Sequence, residues 1–380
     1  MIYKRVKDDK EYLRILIRQR RYIMAEKMLN FTVGPVMSYD EVLEVSGESS
    51  PYFRTPEFSE IMKENERIML KLMKAPSGSG CCFLTASGTG AMESVVMNVL
   101  RTSDKVIVVN GGTFGQRFAD LCKLHKRECA EIKLSFGEPL KEDNLTPYEN
   151  SGYTALLVNM CETSSGVLYD MNLIAEFCKR NNILLIVDAI SAFLADELDM
   201  EKLGAAVVLT GSQKALALHP GISVVALSPK AQERVNNNDE ACLYLSLKEA
   251  LKNGERGQTP FTPAVSILLQ LNTRLRMLED NGGSKAERER IAHVAATFRE
   301  GIKNLPLEYV TEARSNCVTA LRTKGNQAKE LIEILKKQYG IWICPNGGEI
   351  GESVFRVGHI GNITDEDNQK LVKALKEIVF

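Results

Sequence analysis

The sequence predicts an α/β fold: a large unit built on a mostly parallel sheet sandwiched by helices, followed by a smaller α+β unit. Three observations carry this. Short runs rich in Val, Ile and Leu recur as KVIVV (105–109), TALLVN (154–159), ILLIVD (183–188), AAVVLT (205–210) and ISVVAL (222–227). These runs are continuously apolar rather than alternating, which requires a sheet covered on both faces. Segments of helical period lie between many of them, such as MNLIAEFCKRNN (171–182), and strand–helix alternation of this kind builds parallel sheets.

Size and composition set the frame. At 380 residues the chain can bury a large core and form two domains, expected at 28–275 and 276–380. Apolar residues are 44% and charged residues 26%, the balance of a soluble globular protein. A net charge of −1 leaves no electrostatic footprint for nucleic acid or an acidic membrane surface. No apolar run approaches the ~20 residues that span a bilayer. Nine cysteines are scattered without a CxxC pair, the pattern of reduced thiols in a cytoplasmic protein.

Taken in chain order, residues 1–27 stand apart. They hold nine Lys/Arg against four Asp/Glu, and their apolar run ILI is too short for a signal-peptide core. They are expected to form a basic, amphipathic extension. The strand CCFLT (81–85) leads into ASGTGAMESVVMNVL, where Ser87, Gly88 and Thr89 precede a helical spacing of Met92, Val95, Val96 and Val99. A Gly/Ser/Thr turn opening a helix offers free N–H groups and the positive end of the dipole, a phosphate site. It serves equally as a plain N-cap. It is not a P-loop, because the GxxxxGK[ST] lysine is missing.

The strand ILLIVD ends on Asp188, either an N-cap or an anion aimed at a bound cation or protonated ring. Twenty-six residues further on, VVLTGSQKAL ends a strand near Lys214, the one unambiguous charge between 205 and 227. Lysines are rarely buried without a purpose. A desolvated lysine at a strand end is a candidate for a lowered pKa and for imine formation. A phosphate turn, a strand-end acid and a strand-end lysine in that order are the parts pyridoxal 5'-phosphate needs. They seat its phosphate, keep its ring nitrogen protonated, and hold its aldehyde as a Schiff base.

The C-terminal third follows a linker near TPFTPAV. Its pattern is helix (263–280), helix (284–304), two strands (LEYVT, CVTAL), helix (326–338), a strand, and a last helix from about 364. The glycine-rich PNGGEIGES (345–353) reads as a flap beside Arg356. Cys317 and Cys344 lie in apolar strand contexts and are expected to be buried structural thiols.

At this point the chain resembles the class V aminotransferases among the fold-type-I pyridoxal phosphate enzymes. It is most similar to the alanine/serine–glyoxylate and 2-aminoethylphosphonate–pyruvate branch. The resemblance rests on FTVGPVM (31–37), RTPEF (54–58), SGTGAME (87–93), FGQR (114–117), ETSSGV (162–167), VDAIS (187–191), GSQKAL (211–216), TPFTPAV (259–265) and FRVGHIG (355–361), in family order to the C-terminus. It implies a seven-stranded-type sheet and a homodimer with shared active sites. Ser87, Gly88 and Thr89 take the phosphate turn, Phe114 stacks on the cofactor ring, and Thr163 meets its phenolic-oxygen side. Asp188 partners the ring nitrogen, Gln213 contacts the phosphate, and Lys214 is the catalytic lysine. Thr259 and Thr262 reach the neighbouring subunit's phosphate site. Arg356 grips the substrate carboxylate, with Arg54 a lesser candidate.

The implied activity is ping-pong transamination from a small amino donor, alanine- or serine-like, to pyruvate or glyoxylate. The first alternative is a 2-aminoethylphosphonate–pyruvate transaminase. A cysteine desulfurase-like lyase is disfavoured by Phe114 at the stacking position and SQK at the lysine. A non-catalytic pyridoxal phosphate-binding regulator is disfavoured by the presence of both Lys214 and Arg356. No metal is implied.

Overall fold

Ten short strands crowd the first 230 residues of the computed structural model, which describes residues 28–239 and 241–378. They are β1 (Leu29–Phe31), β2 (Gly80–Leu84), β3 (Lys105–Asn110), β4 (Glu128–Lys133), β5 (Ala155–Asn159), β6 (Cys161–Glu162), β7 (Val167–Leu168), β8 (Leu184–Asp188), β9 (Ala205–Gly211) and β10 (Ser223–Leu227). Four more follow: β11 (Leu307–Tyr309), β12 (Val318–Thr323), β13 (Ile341–Pro345) and β14 (Val354–Gly358). The basic segment 1–27 lies outside the described residues.

Seven strands form the large sheet in the order β2–β10–β9–β8–β5–β3–β4. β3, β4, β5, β8 and β9 are joined by parallel pairings, while β10 runs antiparallel to both β2 and β9. The continuous apolar runs have the expected cause. In β8, Leu185 and Val187 pack into one core, and Leu184 and Ile186 into another on the opposite face. Each such side chain contributes roughly 1.5–3 kcal/mol on burial, so the sheet is held from both sides by helices.

Two strands differ from the sequence expectation. β4 carries charge at Glu128, Glu131 and Lys133 and is a sheet edge, so it lacks the apolar run that marks the other strands. β1 leaves the large sheet altogether. It pairs in parallel with β13, Leu29 opposite Ile341, in a second sheet of order β1–β13–β14–β12–β11.

That second sheet packs on the helices Gly283–Ile302, Ala328–Tyr339 and Asp365–Ile378 through Phe298, Leu321, Leu331, Phe355 and Leu371. Where one strand was expected before the last helix there are two, β13 and β14, separated by the glycine-rich segment and its short turn Glu349–Glu352. Cys317 is buried, with its Sγ 3.5 Å from that of Cys161, but Cys344 is only partly buried. It sits on β13 opposite Arg356 and packs against the edge of the large core without being enclosed by it.

The two sheets meet along residues 162–168 and 196 on one side and 313–317 on the other. Asp196 accepts from the Asn316 N–H at 2.9 Å and from the Ser315 hydroxyl. Leu168 N donates to Ala313 O (2.7 Å) and Ser315 N to Gly166 O (3.1 Å). Among the described residues no helix is long and apolar enough to cross a membrane.

Candidate active site

Lys214 follows β9 in the turn that reverses the chain into β10. The turn is closed by Ala217 N on Lys214 O (2.8 Å) and Leu218 N on Ser212 O (3.0 Å). Buried Ala215, Leu216 and Leu218 wall it. Lys214 itself is 9% exposed, and its Nζ donates to Val33 O at 2.6 Å. Burial pulls its ammonium below the usual lysine value; Arg356 pulls the same way, while Cys317, Cys344 and Asp188 push back. Gly34 permits this approach. Its φ is +128°, and a Cβ there would lie 2.8 Å from Lys214 Nζ.

Asp188 closes β8, where the register sets Asn159, the last residue of β5, directly beside it. Asn159 Nδ2 donates to Asp188 Oδ2 at 2.7 Å, and Ile190 N donates to Oδ1 at 2.8 Å. Burial pushes the Asp188 carboxyl up to about 6, and Glu162 adds to the rise; Ile190 N–H, Asn159 and Lys214 oppose it. A buried carboxyl raised this far is one that gains from a cationic partner.

The Ser87–Gly88–Thr89 turn opens a helix. Ser87 is the N-cap of the helix Gly88–Asn98, and its side chain makes no cap hydrogen bond. The first N–H groups of the helix thus stay available for an anion. Gly88 packs under Ile190, and a Cβ there would collide with Ile190 Cδ1. Thr89 Oγ1 accepts from Arg117 at 3.0 Å, and the Arg117 guanidinium lies 4.9 Å from the Phe114 ring centroid. Phe114 stands in the first turn of the helix Thr113–Leu124. Gln213, half-buried, immediately precedes Lys214.

Thr163 Oγ1 donates to Ser191 Oγ at 2.8 Å, and Thr163 O accepts from Arg356 at 3.1 Å. Arg356 rises from β14 and donates also to Pro345 O at 2.6 Å; its Nε is buried without a partner. Among the described residues Arg356 makes no ion pair, so its charge faces only main-chain carbonyls. Arg54 is spent elsewhere. It clamps the 258–260 segment through Gln258 Oε1 (3.1 Å), Thr259 O (2.8 Å) and Pro260 O (3.3 Å). Thr259 is buried, with its hydroxyl on Phe261 O at 2.7 Å, whereas Thr262 is exposed.

The fold thus gathers Lys214, Asp188, Thr163 and Arg356 where the two sheets meet. Sequence reasoning passed over Asn159, Glu162, Arg117 and Val33. Asn159 carried a signal, a polar residue ending an apolar strand like Asp188. The others depend on contacts that no local pattern announces. The residues present fit pyridoxal phosphate, with an uncapped helix start for its phosphate, a buried acid for its ring nitrogen, and a desolvated lysine for its aldehyde.

A parallel-sheet fold with these parts is that of the fold-type-I pyridoxal phosphate enzymes. The family model "Aminotransferase class-V" matches residues 36–357, and the chain belongs to that family. It is 31% identical to a protein named "Soluble hydrogenase, small subunit" from Synechococcus sp., over 94% of each chain. It is 27% identical to the serine–glyoxylate aminotransferase of Arabidopsis thaliana, over 88% of this chain and 86% of that one. A solved aspartate aminotransferase from Thermus thermophilus superposes with a TM-score of 0.86 at 25% identity, covering 92% of this chain and 99% of the other. The protein is a pyridoxal phosphate-dependent transaminase.

Proposed function

We propose that this transaminase moves the amino group of a small amino acid, alanine- or serine-like, to pyruvate or glyoxylate. The observation that carries the reading is Arg356, which among the described residues has no acidic partner and whose charge helps lower the Lys214 ammonium. A planar guanidinium takes a carboxylate bidentately and so orients its Cα. The hydrogenase name belongs to the Synechococcus relative; the residues around Lys214 suit amino-group chemistry.

Pyridoxal phosphate supplies an aldehyde for the amino group and a ring that accepts the electrons of the Cα–H bond. Ser87, Gly88, Thr89 and Gln213 would hold its phosphate, Phe114 would cover its ring, and Thr163 would meet its phenolic-oxygen side. Asp188 keeps a proton on the ring nitrogen. Lys214 is the base and acid at the substrate's Cα. A donor–acceptor panel tests this: alanine or serine with pyruvate or glyoxylate should turn over fastest. Faster turnover with 2-aminoethylphosphonate overturns the donor assignment.

Arg356→Ala should raise KM for both amino donor and keto acceptor about tenfold to a hundredfold, the worth of one charge-assisted pair. The visible absorbance of the bound cofactor should not change. Arg356→Lys keeps the charge but loses the fork, and should fall well short of wild type. An unchanged KM for every carboxylate substrate makes Arg356 structural.

The assembly in this reading is a cytoplasmic homodimer with shared sites, and residues 28–275 and 276–380 are its two domains, with β1 lent by the first to the sheet of the second. No disulfide joins any of the nine cysteines, as a reducing compartment would keep them. Leu243 is 76% exposed, Tyr244 stacks on Phe261 at 5.5 Å, and Tyr52 is 69% exposed, apolar surface that a second copy would cover. Thr262 sits beside this surface and reaches the neighbour's phosphate site; Thr259 supports it from within. Lys214→Ala and Thr262→Glu subunits, each inactive alone, should regain about a quarter of wild-type activity when mixed, since half the dimers then hold one intact site. An active monomer in sedimentation contradicts this.

A further inference from the structure

Glu162 has no role in the assignments above. It is fully buried, and its carboxylate collects four donors from two parts of the chain. Phe114 N (3.2 Å) and Gly115 N (3.1 Å) come from the start of the helix Thr113–Leu124; Ser164 N (3.2 Å) and Ser164 Oγ (2.5 Å) come from its own loop. Gly112 makes the room: a Cβ there would lie 2.7 Å from Glu162 Cδ and 2.5 Å from Ser164 Oγ. A carboxylate is costly to bury unless its lone pairs are filled, and here they are filled by the first free N–H groups of a helix, where the dipole favours an anion.

This anchor joins two parts of the site. Phe114, whose N–H it holds, is the aromatic residue proposed over the cofactor ring. The next residue, Thr163, gives its carbonyl to Arg356 and its hydroxyl to Ser191. The Glu162 main-chain carbonyl is itself tied down by Ser165 N (3.1 Å) and Gly166 N (2.8 Å). Helix start and loop are 48 residues apart in sequence and meet on this one side chain.

We propose that Glu162 is a positioning residue for cofactor and substrate. Its buried carboxylate fixes the Phe114 end of the helix and the Thr163 carbonyl in one frame, so the aromatic face and the carboxylate-binding arginine are set together. The inference rests on the roles proposed above for Phe114 and Arg356. Glu162→Gln keeps the volume but removes the charge, and its amide NH₂ turns a donor toward the main-chain N–H groups of Phe114 and Gly115 or of Ser164, which cannot accept. At least one N–H or O–H then loses its acceptor.

The test titrates purified apoenzyme with pyridoxal phosphate and follows affinity and the induced circular dichroism of the bound cofactor, which reports ring orientation. Glu162→Gln should weaken affinity about tenfold, the scale of one lost charge-assisted bond, and reduce the dichroism. Ser164→Ala leaves the main-chain donors in place and should weaken affinity about twofold to threefold. If Glu162→Gln does not fold, Ser164→Ala decides, and an unchanged affinity there overturns the inference. Lower urea stability with wild-type affinity and dichroism also overturns it, because the role is then purely structural. Phe114→Leu separates the two claims. Unchanged readouts in Phe114→Leu overturn the Phe114 role and this inference with it; a loss there with none in Glu162→Gln overturns this inference alone.

Discussion

A Lys214→Ala enzyme should keep its fold and lose at least about 10⁴-fold in turnover, the upper range for general acid–base catalysis by one group. The reasons lie in the turn after β9. Lys214 is enclosed by Val33, Gly34 and the apolar turn, and burial is the largest influence on its amine. That shift raises the neutral fraction at working pH, which a nucleophile and base both need. Folding should survive because, among the described residues, the side chain's one hydrogen bond is to Val33 O and it makes no ion pair. Activity within tenfold of wild type would remove Lys214 from the chemistry.

Asp188→Asn should cost about 10²–10³-fold in the half-reaction with amino donor, the scale of one preorganised electrostatic group. The same variant should stabilise the apoenzyme. The Asp188 carboxyl is raised from 3.8 to about 6, so between those values the folded state binds more protons than the unfolded. Stability is therefore present at low pH and is lost as pH rises through that window. At pH 7–8 the full cost is about 3 kcal/mol, from about 1.4 kcal/mol per unit, and an uncharged amide at this position escapes it. The local bonding can follow. The amide oxygen of the variant still accepts from Ile190 N, and its new NH₂ group can donate to Asn159 Oδ1, which is buried and unpaired, after an Asn159 flip. Thermal melts of both apoenzymes should differ at pH 7.5 and converge near pH 4. Wild-type half-reaction rates, or no such convergence, would contradict this account of Asp188.

Much of this was legible because of where the charged residues stand. Asp188 and Lys214 interrupt continuous apolar runs, and in a doubly covered sheet such interruptions fall at the carboxyl ends of strands, where ligands bind. The uncharged Ser87–Gly88–Thr89 turn was visible because small polar residues stand between an apolar strand and a helical spacing. Asn159 was not read, because β5 and β8 are neighbours in the sheet but not in sequence, and only the register sets it against Asp188. β4 hid behind its edge charges, and β1 behind a pairing with residues 341–343. Glu162 stands beside Thr163 in ETSSGV with nothing local to mark it, and its meaning depends on a helix start far upstream. Period and composition report how an element is buried; they do not report which elements become neighbours.

The central claim is that Lys214 carries the cofactor's aldehyde in the resting enzyme. Borohydride reduction of the holoenzyme, proteolysis and peptide mapping test it most directly. The pyridoxyl group should be found on the peptide containing Lys214, at one equivalent per chain, and should be absent from the Lys214→Ala protein. Pyridoxyl label on any other lysine would contradict the site and the chemistry drawn from it.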